Sequence, residues 1–424
     1  MRTFLLLVSI GLAVEAQAAT PRVIYVDANA APGGNGTAAR PYNAIADAVT
    51  LARSEGGHPT IKVDPGFYEI ESTITIDFPV ELAGSNVLEM DSNGWPTGVV
   101  RSGTESQIVG STALGASTLV SVGRTDGVVI NGVSVHGFTL VSGPGGGHDI
   151  ELQQVQNFSV SGNVVTGLST TATNFGIYPG ASSGVISGNY ISGVGCGSCI
   201  RSGYPGSPAN IIFAGNRSVH NRNAGVLLGG MTYALPEHGD QLDALVSGND
   251  ISENTGTTAD VGLRIFIGRQ DPPNTQGEGN VHALVVGNRL VGNLIGVSLD
   301  AGFPYRQSAV PPPNGPLTCD TRVFTGTLNV TFLGNTLSGS QQTPAVISFT
   351  RLQATLNPTT QLSRWQYLHN ATYIVNDPQK ILAGYQKDDP STDPYVGGLC
   401  AADLTHEVLG NTLDYNGALV QPTP

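Results

Sequence analysis

The sequence predicts an all-β solenoid, in which short strands coil and the coils stack. Three observations carry this. A short hydrophobic run ending in Gly-Asn returns seven times between residues 158 and 411. The runs alternate apolar and polar residues, as a strand with one buried face does. Only 12% of the residues are charged, about half the share of an ordinary domain, while 56 are Gly and 26 are Pro.

The composition excludes several classes. At 40% hydrophobic residues the chain is not disordered. The glycines do not fall at every third position, so it is not collagen. Helical periodicity is absent, so it is neither a coiled coil nor a bundle. A net charge of −13 argues against nucleic acid as a partner, because binding phosphates needs a basic surface.

The repeat copies end at Asn163, Asn189, Asn216, Asn249, Asn288, Asn335 and Asn411, at intervals of 26, 27, 33, 39, 47 and 76 residues. After most copies comes a polar loop, then a second alternating strand such as Gly176-Ile-Tyr, Gly225-Val-Leu-Leu or Gly262-Leu-Arg-Ile. Growing intervals mean a constant coil in which one loop lengthens. Asn tolerates the left-handed conformation that a tight bend demands. Stacking puts these asparagines in register, so their amides can ladder along the axis. One coil cannot bury its own core, so several must stack.

The N-terminus reads as an export signal. Arg2 precedes an apolar run, Phe4 to Val14, and then Ala16-Gln-Ala18, so cleavage is expected after Ala18. The run is too short to span a bilayer, and no membrane span is expected elsewhere. The expected location is secreted or periplasmic. Four cysteines in an exported chain suggest disulfides, and the simplest pairing is Cys196 with Cys199 and Cys319 with Cys400.

The repeat resembles the right-handed parallel β-helix of the pectin-lyase-like superfamily. The opening segments Ile24-Tyr-Val-Asp27, Arg40-Pro-Tyr-Asn-Ala-Ile45 and Thr60-Ile-Lys-Val-Asp-Pro-Gly-Phe-Tyr68 are similar to the start of exported β-helix proteins. There a strand and a short helix cap the open end of the coil. Ile45, Ala48, Val49 and Ala52 have the helical spacing for this role. The expected organisation is a signal peptide over 1–18, strand and capping helix over 19–58, a single-stranded β-helix over 59–350, an insertion, flank or cap over 351–405, and a terminal coil over 406–424.

The resemblance places a carbohydrate groove along the first strand of each coil. It maps Gly-Asn onto the bend between the second and third strands. Taking the apolar residue after each Gly as inward, the outward row reads Glu151, Tyr178, Arg201, Leu227, Arg264, Ser298 and Ile347, with Phe266, Asp300 and Phe349 two residues on. The longest loops, Gly229 to Asp243, Gly268 to His282 and Asp300 to Asn329, follow this strand and carry His238, Asp240, Asp243, Arg269 and Asp271.

Arg201 and Arg264 are two coils apart, roughly 9–10 Å at the usual strand spacing. Guanidinium groups so placed suit uronate carboxylates. In a β-eliminating lyase such a group neutralises the carboxylate, and a base takes the α-proton. Tyr178, His238 or an arginine is the candidate base. Lysine is nearly excluded, because the only lysines are Lys62, Lys380 and Lys387.

A hydrolase needs two carboxylates about 5–9.5 Å apart. Glu151 and Asp300 are five coils apart, about 24 Å, and fail. Asp240 with Asp243, or with Asp271, remains open. Gly147-His148-Asp149 is read as a superficial echo of the polygalacturonase signatures, which are otherwise absent. No cofactor is expected. The loop acids offer oxygen ligands for Ca²⁺, but no calcium-loop spacing is present.

The expected function is an exported protein that engages a polysaccharide and cleaves it, as a lyase on an acidic glycan. Catalytic candidates are Arg201, Arg264, Tyr178, His238 and Asp240. Substrate-binding candidates are Glu151, Phe266, Asp300, Arg269 and Asp271. The alternatives are a glycoside hydrolase using loop carboxylates and a non-catalytic carbohydrate-binding or matrix protein.

Overall fold

The computed structural model describes residues 22–167, 174–202, 209–232, 240–256, 261–269, 277–301, 320–348, 365–382, 384–387, 412–415 and 418–420. The signal segment, His238, Asp271, Phe349, Cys319 and Cys400 lie outside these residues.

The chain winds through three stacks of parallel strands. Sheet 1 contains, in order along the axis, Ile74–Ile76, Val120–Val122, Ile150–Gln153, Phe175–Gly180, Cys196–Ser202, Ala224–Thr232, Val261–Arg269, Ile295–Ala301, Thr343–Ser348 and Tyr385–Lys387. Sheet 2 takes the strand before each Gly-Asn, from Val155–Ser161 to Asp320–Leu333 and beyond. Sheet 3 takes the short strand after each Gly-Asn, such as Val164–Gly167 and Tyr190–Ser192. Strands pair with their counterparts one coil away, so the parallel β-helix expected from the repeat is the fold observed. Its right hand follows from the chirality of parallel crossovers.

The core is a set of side-chain rows. In sheet 2, Val135, Val160, Ile186, Phe213, Val246, Val285 and Phe332 stack in register, and all are fully buried. Each such side chain contributes about 1.5–3 kcal/mol on burial. At the N-terminal end the helix Ile45–Glu55 closes the coil, burying Ile45, Ala48, Val49 and Ala52.

The asparagine ladder is present, with one difference from expectation. The left-handed residue is the glycine: Gly162, Gly188, Gly215, Gly248, Gly287 and Gly334 have φ between 61° and 64°. Glycine adopts this conformation without a Cβ penalty. The asparagine is thereby free to turn its side chain inward. The backbone N–H and Nδ2 of Asn189 donate to Oδ1 of Asn216 at 3.0 Å each. Asn216 treats Asn249 in the same way, at 2.8 and 3.2 Å, and the chain of bonds continues through Asn288 to Asn335. Each Nδ2 also reaches a carbonyl of the previous coil, such as Asn216 to Ile186 at 2.9 Å. Asn216 is fully buried, so its Asn-Arg-Ser sequon is closed to glycosylation in the folded chain.

A second ladder runs at the turn from sheet 3 to sheet 1. Asn221 donates to Oδ1 of Asn254, and Asn254 to Oδ1 of Asn293, at 2.9–3.1 Å. These residues sit five positions after Asn216, Asn249 and Asn288, a spacing visible in the sequence.

The segment 351–405 differs from an insertion lying wholly outside the coil. Its strand Trp365–Asn376 pairs with Asp320–Leu333 in sheet 2, and Tyr385–Lys387 pairs with Thr343–Ser348 in sheet 1. These strands extend the solenoid. Thr412–Tyr415 adds to Trp365–Asn376 and forms an antiparallel pair with Ala418–Val420.

Replacing Asn216 by Ala removes a rung: the backbone N–H and Nδ2 of Asn189 lose their acceptor, and Asn249 Oδ1 and the Ile186 carbonyl lose a donor. Each unsatisfied buried group costs about 1–3 kcal/mol. Asn216→Ala should therefore lower the urea unfolding midpoint by the equivalent of at least about 2 kcal/mol. Asn210→Ala, on an exposed position nearby, should leave the midpoint almost unchanged.

Candidate functional site

Strand pairing sets the rows on the outer face of sheet 1. The first row runs Glu151, Tyr178, Cys199, Leu227, Arg264, Ser298 and Val346. The second, two residues on, runs Gln153, Gly180, Arg201, Gly229, Phe266, Asp300 and Ser348. Two expected positions are corrected. Arg201 belongs to the second row, beside Gly180 and Gly229, and Cys199 takes its place in the first. The reason is local: the inward position after Gly197 is occupied by Ser198, a buried polar residue, so the hydrophobic match moved two places to Ile200. Likewise Val346 follows Ser298, because Ile347 pairs with the inward Leu299.

The two arginines expected to form a pair have different partners. Arg264 Nε donates to Asp300 Oδ2 at 2.8 Å, and Ser298 Oγ donates to the same oxygen at 3.0 Å. Both partners are nearly buried, so Arg264 and Asp300 neutralise each other within the wall. Such a pair supports specificity of packing more than stability. Phe266 is buried across Gly229, where a Cβ would lie 2.5 Å from its ring, so it packs against the face.

The other arginine belongs to a different group. Arg201 is 6% exposed, and its guanidinium carbon lies 5.6 Å from the Tyr178 ring centroid. Tyr178 is tilted against His148 at 5.1 Å between ring centres. His148 is stacked on Phe175 at 4.7 Å and 11°. Glu151 is held by Thr118 Oγ1 at 3.1 Å and Gln153 Nε2 at 3.2 Å. Three adjacent strands thus bring an imidazole, a phenol, a carboxylate and a guanidinium together. A Cβ at position 180 would lie 2.6 Å from Gln153 Oε1, so Gly180 makes room for that amide.

Burial lowers the His148 pKa from its ordinary value; the Glu151 carboxylate opposes this, and the Arg201 charge adds to it. His148 Nδ1 is buried and has no hydrogen-bond partner among the described residues. Both facts fit a neutral imidazole at pH 7. His148 is the residue that sequence reasoning set aside. The signal was its place immediately before the strand that carries Glu151, on the site side of the coil.

Asp149, next in sequence, is fully buried beside Ser142. Burial pushes its carboxyl well above the usual range, against a pull in the other direction from Ser142. It stays protonated in the folded chain over a window where the unfolded chain ionises.

Cys196 and Cys199 are free and buried. Both lie in the strand Cys196–Ser202 and not in a loop, and the disulfide expected between them is not formed; the two thiols hydrogen-bond each other instead. Burial raises the Cys199 thiol. A hydrogen bond with Cys196 and the charges of Arg201 and Arg264 outweigh burial and bring it down to about 6. The Cys196 thiol is pushed up by the same burial.

The loop acids divide differently from expectation. Ala224–Thr232 and Asp240–Ser247 are longer strands than the repeat implied, so Asp240 and Asp243 stand on sheet 2 and not on a loop flanking sheet 1. Asp243 pairs with His282 Nδ1 at 3.2 Å on the outer face of that sheet. Arg269 ends the strand Val261–Arg269 in sheet 1. Glu151 and Asp300 are five strands apart, as expected. Among the described residues no group of three or more His, Cys, Asp or Glu could hold a metal ion, and no helix is long and apolar enough to cross a membrane.

No family model matches the chain, and no curated protein matches it. Solved structures resemble it at low identity. The DFA-IIIase of Arthrobacter chlorophenolicus is 14% identical, with 92% of each chain covered and a TM-score of 0.37. The A-module of a mannuronan C-5 epimerase from Azotobacter vinelandii is 16% identical over 86% of this chain and 98% of that one, at 0.33. A pectin methylesterase from Aspergillus niger is 15% identical over 88% of each chain, at 0.32. The fold rests on the strand pairing. Three parallel sheets and an Asn-lined bend make the architecture a parallel β-helix.

Two outcomes follow. Asp149 gains protons on folding, so its contribution to stability is present below the unfolded pKa of about 3.9 and is lost as pH rises through its native value. Urea midpoints across pH 4 to 7 should decline less for Asp149→Asn than for the parent. In addition, alkylation of the unfolded chain without reductant should place two alkyl groups on the tryptic peptide containing Cys196 and Cys199.

Proposed function

We propose that the outer face of sheet 1 binds an acidic polysaccharide and cleaves it by β-elimination, with His148 as the base. The observation that carries this reading is the imidazole of His148 packed against both Phe175 and Tyr178, which also touch each other, with Glu151 and Arg201 around the group.

The chemistry needs three things. The substrate carboxylate must be neutralised so that its α-proton is acidic, and the charge of Arg201, held at low exposure, supplies this. A base must remove that proton, and a neutral imidazole with a lowered pKa is ready at pH 7. An acid must protonate the departing glycosidic oxygen as the bond breaks, and the Tyr178 hydroxyl, one strand from Glu151, is the candidate. The three strands involved span about 10 Å of the axis. Hydrolysis has weaker support, because Asp300 is committed to Arg264 and Asp243 faces away on sheet 2.

The test is incubation of the purified protein with a panel of acidic and neutral polysaccharides, following ultraviolet absorbance of unsaturated uronate ends and, separately, reducing ends. Both should rise together on an acidic polymer. His148→Ala should lower turnover by about 10²–10⁴-fold with the fold intact. The parent rate should fall on acidification, with an apparent pKa below the ordinary histidine value near 6.5. Reducing ends without unsaturated ends would mean hydrolysis. Full activity in His148→Ala would remove that residue from the reaction, and silence across the panel would overturn the enzymatic reading.

A further inference from the structure

We propose that the outer face of sheet 2 is a second glycan-binding surface, selective for a neutral linear glycan and separate from the face that carries His148. This inference does not depend on the catalytic reading.

The face holds an open trough of about 830 Å³ along the strands from Val155–Ser161 to Asp320–Leu333. A ligand site of this kind is ordinarily about 300–1,000 Å³. Its floor consists of two parallel rows. One is polar and hydrogen-bonding: Gln156, Ser183, Asn210, Asp243, His282 and Asn329, one residue per coil. The other, two residues on, is largely aliphatic: Val185, Ile212, Leu245, Leu284 and then Thr331. Ile212 is 42% exposed and Leu284 40% exposed. A β-helix has no need of branched aliphatic side chains on an outward row, since its core lies on the other side of the strand.

Periodicity and charge identify the occupant. Four successive coils, from Ser183 and Val185 to His282 and Leu284, repeat the same pair, a hydrogen-bonding group beside an aliphatic one, at about 4.8 Å, and Ser159 and Thr331 end the aliphatic row. That spacing is close to the advance per sugar of an extended 1,4-linked glycan. Such a chain presents hydroxyls along its edges and C–H groups on its faces, which match the two rows. Among the described residues the lining contains two ionisable side chains, Asp243 and His282, and they bond to each other at 3.2 Å. Among the described residues no lysine or arginine lines the trough, and the whole chain carries −13, so the lining favours a neutral polymer over an anionic one. The six strands cover about 24 Å, room for five to six sugars.

The probes are cellohexaose and mannohexaose, titrated calorimetrically into the full-length protein, with a hexamer of galacturonate as the acidic comparison. At least one neutral hexasaccharide should bind. The double variant Asn210→Ala/Leu284→Ala should weaken it at least tenfold while leaving the thermal midpoint unchanged, since both positions are on the surface. His148→Ala should bind it as the parent does, which separates this surface from the proposed active face. Leu284→Lys, which crowds the aliphatic row with a charge, serves as a second variant and should also lose binding. The proposal is overturned if neither neutral probe binds, if binding survives both sets of substitutions, or if His148→Ala abolishes it. Binding of the acidic hexamer that is lost in the double variant would overturn the neutral selectivity.

Discussion

The structure depends on parallel registration of one coil on the next. Strands stacked at about 4.8 Å bring every residue directly over its counterpart. Identical side chains then meet identical side chains, and polar ones must satisfy each other. Asparagine does this alone, because its amide both donates and accepts. Asn163 to Asn335 form a continuous line of buried amides, each bonded to the next coil. The same registration makes hydrophobic rows of the core and puts a lattice on each outer face.

That lattice explains how one fold carries two different faces. On sheet 1 it is broken: the coils place Glu151, Tyr178, Cys199, Leu227 and Arg264 in one row, all of different chemistry. Unlike neighbours held at one spacing make a localised site, as His148, Tyr178 and Arg201 do. On sheet 2 one outer row is polar on every coil from Gln156 to Asn329 and the other is aliphatic on the four coils from Val185 to Leu284, so the chemistry of the face repeats along that stretch. A localised cluster and an extended repeating face are thus separate consequences of the same stacking.

Much of the fold was legible in the sequence. The period, the bend and the capping helix each left a pattern, because each recurs or obeys a helical spacing. The outward row was read correctly at Glu151, Tyr178, Leu227, Arg264 and Ser298. It failed where an inward position held a polar residue, at Ser198, and where Ala345 replaced a larger hydrophobe. The Cys196–Cys199 spacing looked like a loop pair because Gly residues flank it, yet the residues form a strand. The second Asn ladder was present as a five-residue offset but was not separated from ordinary loop asparagines.

The sequence by itself determined the class of fold, the direction of stacking and the line of amides, because these follow from repetition and from the pairing capacity of asparagine. Only the tertiary structure decided which side chains share a site. It put His148 against Tyr178 and Arg201, committed Arg264 to Asp300, and moved Asp243 to another sheet. The physical reason is that a repeat fixes where a residue falls along a coil, while contact between coils depends on strand length and bulges. One or two residues gained by a strand carry a side chain to a different face, and no period in the sequence records that.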